Sequence, residues 1–130
     1  KNDDPVLRQR LAQAYILEEV GRLMSVRAKQ LRAAGGSLPG DGNLAKLLMS
    51  RLLRLGRDLG PEIIGPYGMI LGTDTPGDGN FQEATVWAPA PSIYGGSDEI
   101  QKNIVGERVL GLPKEPGPDK NTPFRELLVN

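Results

Sequence analysis

The sequence predicts an all-α fold, an up-down bundle of helices. Two stretches, residues 6–34 and 43–59, are almost free of Gly and Pro and carry apolar residues at steps of three or four. No stretch alternates apolar and polar residues over the length of a strand. The 17 Gly and 11 Pro gather instead at 35–42, 60–79 and 89–96, with a scatter after 111, where they punctuate the helical stretches.

The first helix starts at Asp4-Pro5, a carboxylate able to cap free N–H groups followed by Pro at the first helical position. Its stripe is Leu7, Leu11, Ala14, Leu17, Val20, Met24, Ala28 and Leu31. Ile16 and Leu23 widen that stripe, which predicts packing on more than one side. Gly21 marks a close crossing with another helix, and Gly35-Gly36 ends the element. A second helix begins near Asp41 or Asn43 with the stripe Leu44, Leu48, Leu52, Leu55 and Leu59. Lys46, Arg51, Arg54 and Arg57 take its other side. Gly60-Pro61 stops or kinks it, and Ile63-Ile64 can add one more turn. Residues 80–87 can form a short helix. The third main helix is expected over 98–110, with Ser97 as N-cap, Asp98 and Glu99 at its positive end, and Ile100, Ile104, Val105 and Val109 as its apolar side. Helices this apolar ordinarily have more neighbours than this chain offers, so further neighbours are expected in an upstream part of the protein or in a partner subunit.

Composition closes off several kinds of chemistry. The 130 residues suit one domain. Without His or Cys there is no Ser-His-Asp or Cys-His site, zinc finger, iron–sulfur cluster or disulfide. Sixteen basic and sixteen acidic side chains cancel, which argues against a general nucleic-acid binder. The cancellation conceals a basic half, residues 1–60 at +5, and an acidic half, residues 61–130 at −5. A chain opening on Lys1 is expected to be a fragment or a processed product. No apolar run approaches the roughly 18 residues of a membrane span. Lys1-Asn2-Asp3-Asp4 lacks the layout of a signal peptide, so a soluble cytoplasmic protein is expected.

Four places could carry chemistry. The basic face of the second helix could grip phosphate, although a solvated face is the commoner outcome. Asp74, Asp78 and Glu83 could suggest a metal, but their spacing is not that of an EF-hand loop and a solvated loop is favoured. In Ile93-Tyr94-Gly95-Gly96-Ser97-Asp98-Glu99-Ile100-Gln101 two glycines open onto a helix N-terminus, where free N–H donors and close backbone approach favour a ligand. Asp98 and Glu99 would repel phosphate there, so a neutral hydrogen-bonding ligand fits better, while spacing alone still favours a simple capped helix. Gly65-Pro66-Tyr67-Gly68, after Glu62-Ile63-Ile64, is a weaker turn of the same kind.

The run from Ile93 to Val105, continuing through Gly106-Glu107-Arg108-Val109-Leu110-Gly111-Leu112-Pro113, closely resembles the end of acyl-CoA dehydrogenases. Glu62-Ile63-Ile64-Gly65-Pro66-Tyr67-Gly68 is similar to that family's Gln-x-x-Gly-Gly-x-Gly, and Lys46 sits where its members commonly carry a lysine. The resemblance implies that residues 1–113 form the C-terminal all-α domain without its first helix, followed by a tail over 114–130. It implies a flavoprotein that dehydrogenates acyl-CoA thioesters. A carboxylate takes the α-proton while a hydride passes to FAD, whose electrons go on to an electron-transfer flavoprotein. It also implies a homo- or heterotetramer. Carried over by position, Ser97, Asp98 and Glu99 meet FAD, and Gly96 meets the acyl substrate. Glu62, Ile63, Ile64, Gly65 and Pro66 touch the FAD of a neighbouring subunit. Two departures stand out. Gly95 occupies the position where many members carry the catalytic glutamate, and Glu62 and Pro66 replace the usual Gln and Gly. Some members place the base on an earlier helix, and some form heteromers in which one subunit has none. A non-catalytic partner subunit and a helical interaction module are therefore the alternative expectations.

Overall fold

The computed structural model describes residues 3–114, 117 and 121–126. These residues form α1 (Pro5–Ala33), α2 (Asp41–Ile64), α3 (Asn80–Trp87) and α4 (Asp98–Arg108), with 3₁₀ turns at Gly65–Met69, Ala90–Ser92 and Phe124–Glu126. No strand occurs among the described residues. No helix among them is long and apolar enough to cross a membrane. Of the tail expected over 114–130, residues 115, 116, 118–120 and 127–130 lie outside the described residues, as do Lys1 and Asn2.

The start of α1 follows its sequence signal. The Asp4 carboxylate accepts from Val6 N at 2.9 Å and from Leu7 N at 3.3 Å, ahead of Pro5 at the first helical position. Past the C-terminus Gly35 takes φ +76° and Gly36 N bonds back to Leu31 O at 2.8 Å. Arg10 pairs with Glu62 at one end, and Arg32 pairs with Asp41 at 3.1 Å at the other, so α1 runs antiparallel to α2. Gly21 sits at the closest approach, where an added Cβ would lie 2.9 Å from Leu48 Cδ2. The close crossing expected there is present.

α2 is the axis of the fold. It runs unbroken through Gly60-Pro61 to Ile64, so this pair neither stops the helix nor separates off its last turn. α3 and α4 lie end to end along it, both antiparallel. Phe81 of α3 covers Gly60, with Cδ1 3.2 Å from where a Cβ would stand. At the other end of α2, Val109 just past α4 closes over Gly40, whose own Cβ would come within 2.6 Å of Val109 Cγ2.

Two expectations about faces are corrected. Ile100, Ile104, Val105 and Val109 do not make up the buried side of α4, although Val105 and Val109 reach Gly40 at the start of α2. Its buried residues are Asp98 and Gln101, while Ile100 and Val109 are exposed and Ile104 and Val105 half-buried. The physical reason lies in α2, whose surface toward α4 is the polar one. Asn43, Lys46, Ser50 and Arg54 recur at the helical repeat on the side nearly opposite the one that meets α1. Lys46 is therefore half-buried and bonded to Pro91 O, and Arg54, though exposed like Arg51, is tied to Ser92 and Asp98. Within this chain α1 is covered on one side only, which leaves its second apolar side to the neighbours expected from outside the chain. Leu7, Leu17 and Ala28 are buried, whereas Ile16 and Leu23 are 59% and 56% exposed. Between α1 and α2 a groove of about 440 Å³ lies open, lined by Gly21, Met24, Ala28, Ala45, Leu48 and Leu52 among others.

Candidate functional site

Two consecutive glycines with positive φ, Gly95 at +63° and Gly96 at +89°, turn the chain into α4. Ser97 follows as N-cap, its Oγ accepting from Ile100 N at 3.3 Å. Among the described residues the backbone N–H groups of Gly95, Gly96, Ser97, Asp98 and Glu99 have no acceptor within the protein. The turn thus presents consecutive donors beside the positive end of a helix dipole.

Everything behind the turn is held by one face of α2. Lys46 Nζ donates to Pro91 O at 2.7 Å, and Ser50 Oγ to the same oxygen at 3.3 Å. Arg54 Nη1 reaches Ser92 Oγ at 2.9 Å, and its Nη2 lies 3.0 Å from Asp98 Oδ2. Asn43 Nδ2 donates to Gln101 Oε1 at 2.6 Å, and Gln101 Nε2 donates to Gly95 O at 3.0 Å and to Gly96 O at 3.5 Å. Pro91 and Ser50 are fully buried.

The Asp98 carboxylate is only 3% exposed and is turned into α2 rather than toward the open side. Burial pushes its pKa up, but the Ser50 hydroxyl, the Arg54 guanidinium and the Lys46 ammonium together outweigh that and hold it below the ordinary carboxylate value. Asp98 Oδ1 has no bonded partner while the Ser50 proton goes to Pro91 O. A hydroxyl carries a single proton and can turn to either acceptor. Because Arg54 counters Asp98, repulsion of an anion at this turn comes chiefly from Glu99, whose side chain is exposed and 3.9 Å from Lys102.

The Gly95 position is roomy. A Cβ there would meet only Lys46 Cε, at 3.7 Å, and no carboxylate stands at that point of the chain. A Cβ on Gly96 would lie 2.7 Å from Gln101 Nε2, so a side chain there would have to displace that amide. Beside the turn, the rings of Trp87 and Tyr94 lie 6.1 Å apart and tilted by 51°, both half exposed.

Glu62, Ile63, Ile64, Gly65 and Pro66 are not brought to this turn. They cap the far end of α2, eight or more residues beyond Arg54, which is about 12 Å along a helix. There Glu62 pairs with Arg10, Gly65 takes φ +65°, and Gly68 folds back onto Pro61. Gln82 Nε2 pins the following segment through Tyr67 O at 2.7 Å and Ile70 O at 2.9 Å. Asp74, Asp78 and Glu83 do not form a group able to hold a metal among the described residues.

A family model described as the C-terminal domain of acyl-CoA dehydrogenase matches residues 2–110. The chain belongs to the acyl-CoA dehydrogenase family. Among curated proteins it is 40% identical over 119 residues to acyl-CoA dehydrogenase IpdE1 of Mycobacterium tuberculosis, covering 87% of this chain and 28% of that protein. It is 36% identical over 116 residues to the protein of the same name from Mycolicibacterium smegmatis, again covering 87% of this chain and 27% of the relative. The chain therefore spans little more than a quarter of these relatives. Among solved structures, one titled Tcur3481-Tcur3483 steroid ACAD superposes with a TM-score of 0.75 at 20% identity, over 88% of this chain and 30% of the other. That likeness bears on the fold. It places the all-helical arrangement within acyl-CoA dehydrogenase architecture.

The sequence singled out the segment 93–101 without a role for the Gln101 side chain, and it gave no role to Asn43 or Ser50. The one signal for them was their spacing along α2 and α4, and polar residues at helical spacing ordinarily mean solvent.

Proposed function

We propose that this chain is the C-terminal helical part of an FAD-dependent acyl-CoA dehydrogenase subunit, supplying flavin-pocket and oligomer-interface residues for the α,β-dehydrogenation of an acyl-CoA thioester. The observation that carries the reading is the Gly95-Gly96 turn with its unbonded N–H groups at 95–99. The donor set fits FAD, because neutral acceptors on a flavin or its ribityl chain take backbone N–H bonds without the repulsion that Glu99 would impose on a bare phosphate. Gly96 would meet the acyl substrate through its main chain, since it carries no side chain. Ser97, Asp98 and Glu99 would contact the cofactor through their main chain, since the Asp98 carboxylate is committed to Arg54. Glu62 to Pro66, at the far end of α2, would reach the FAD of a second subunit. Bound FAD supplies the hydride acceptor.

This chain supplies no base at Gly95, so the α-proton must pass to a carboxylate elsewhere in the subunit or on its partner. Gly95 therefore favours a second reading, a partner subunit that completes another subunit's site within a heterotetramer. The solved neighbour's title, which pairs two components and names a steroid enzyme, supports both a heteromer and a bulky acyl group. Electrons would pass to an electron-transfer flavoprotein.

The test is purification of the full-length protein, alone and with its candidate partner, followed by flavin absorbance and acyl-CoA oxidation with an artificial acceptor. Bound flavin and turnover are expected from the assembled protein. Turnover by the full-length protein alone overturns the partner-subunit reading, and absence of flavin from both preparations overturns the main one.

A further inference from the structure

The amide of Gln101 has a single orientation consistent with its surroundings. Its Nε2 faces two carbonyl oxygens, Gly95 O at 3.0 Å and Gly96 O at 3.5 Å, and its Oε1 accepts from Asn43 Nδ2 at 2.6 Å. Turning the amide over would set oxygen against two carbonyls. The side chain is 7% exposed, so no solvent competes for these bonds.

In a trans peptide the C=O and the following N–H point in opposite directions. Drawing Gly95 O toward Gln101 therefore turns the Gly96 N–H to the other side, and drawing Gly96 O turns the Ser97 N–H the same way. Both N–H groups have no acceptor within the described residues. Glycine rotates its peptide planes at little cost, so residues with positive φ at 95 and 96 do not hold these directions by themselves. A fixed anchor is needed, and Asn43 on the rigid α2 supplies it through Gln101.

We infer that Gln101, oriented by Asn43, is a positioning residue that aims the Gly96 and Ser97 N–H donors at the bound flavin or thioester carbonyl. The assignment rests on the functional reading above. It concerns residues that touch neither ligand and act through the turn.

Two variants of the full-length protein, assembled with its partner where it has one, test this. Gln101→Glu keeps the bond from Asn43 but places a carboxylate against two carbonyl oxygens. Asn43→Asp draws the Gln101 amide over, keeping the link between α2 and α4 while presenting oxygen to the turn. The expected result is a folded protein by circular dichroism, an FAD dissociation constant raised about tenfold or more, and shifted flavin absorption bands. Crystal structures of the variants should show the 95–96 and 96–97 peptides rotated. Wild-type flavin affinity and spectrum in both variants overturn the role of Gln101. Loss of folding in Asn43→Asp also overturns it, because it assigns the pair to holding α4 rather than to aiming donors. A flavin-free wild type overturns the functional reading itself, and with it the ligand assigned to these donors.

Discussion

At the level of single residues, the Arg54–Asp98 pair controls how the start of α4 behaves with pH. The folded-state pKa of Asp98 lies below its ordinary value, so the pair's contribution is complete above the unfolded carboxylate pKa near 4 and is lost as pH falls through the folded value. Arg54→Ala removes the charged partner of a buried carboxylate and should cost about 2 kcal/mol near neutral pH. Burial then acts with less opposition, the Asp98 pKa rises, and acid unfolding should begin at higher pH than in the wild type. Thermal melts across pH 3–7 check both effects, and an unchanged acid transition would contradict the assignment. The two glycines of the turn should differ in tolerance. Gly95→Ala meets only Lys46 Cε at 3.7 Å and bears the cost of a left-handed backbone, about 1 kcal/mol. Gly96→Ala bears the same cost and also drives a Cβ to 2.7 Å from Gln101 Nε2, so its melting temperature should fall further. Equal losses would mean that Gln101 moves aside freely.

At the level of helices, the antiparallel α1–α2 pair depends on Gly21. The nearest atom to a Cβ there is the end of the flexible Leu48 side chain, at 2.9 Å. Gly21→Ala should therefore be nearly neutral, since gained helix propensity offsets a small shift of Leu48. Gly21→Val should destabilise by about 1–3 kcal/mol through overpacking, measured by chemical unfolding. A neutral valine variant would show that the crossing is looser than the structure depicts. These helices were legible in the sequence for a physical reason. Asp4-Pro5, Gly35 and Ser97 act locally, and the Leu stripe of α2 meets an apolar partner. The docking of α4 was not legible. Periodicity reports apolar faces, whereas Asp98 and Gln101 are buried against Arg54 and Asn43, whose bonding groups lie far away in sequence. By periodicity alone Lys46 looks like any surface lysine, and its bond to Pro91 O shows only in the fold.

At the level of the whole molecule, α1 has one covered side and one open side. Tyr15, Ile16 and Leu23 are all more than half exposed, and the groove between α1 and α2 is apolar. The isolated 130-residue chain should consequently self-associate in solution, and it should carry no flavin, since it holds only one wall of the proposed pocket. Gel filtration with light scattering and visible absorbance reads both properties. A monomeric chain that keeps yellow colour through the column would contradict the expectation. The family and its helical architecture could be read from the 93–113 run alone. The distance between Glu62–Pro66 and that turn could not, because the folded length of α2 sets it.

The polar ladder on α2 also bears on how the protein comes into being. Its bonds join residues 58, 45, 41 and 38 positions apart. Contacts of that span incur loop-closure entropy before they return any stabilisation, and they close late in folding. During synthesis Asn43 leaves the ribosome long before Gln101 exists to accept its proton, so α1 and α2 can pair while the turn at 95–96 is still unmade. The part of the chain proposed to meet the ligand would then be the last to take shape.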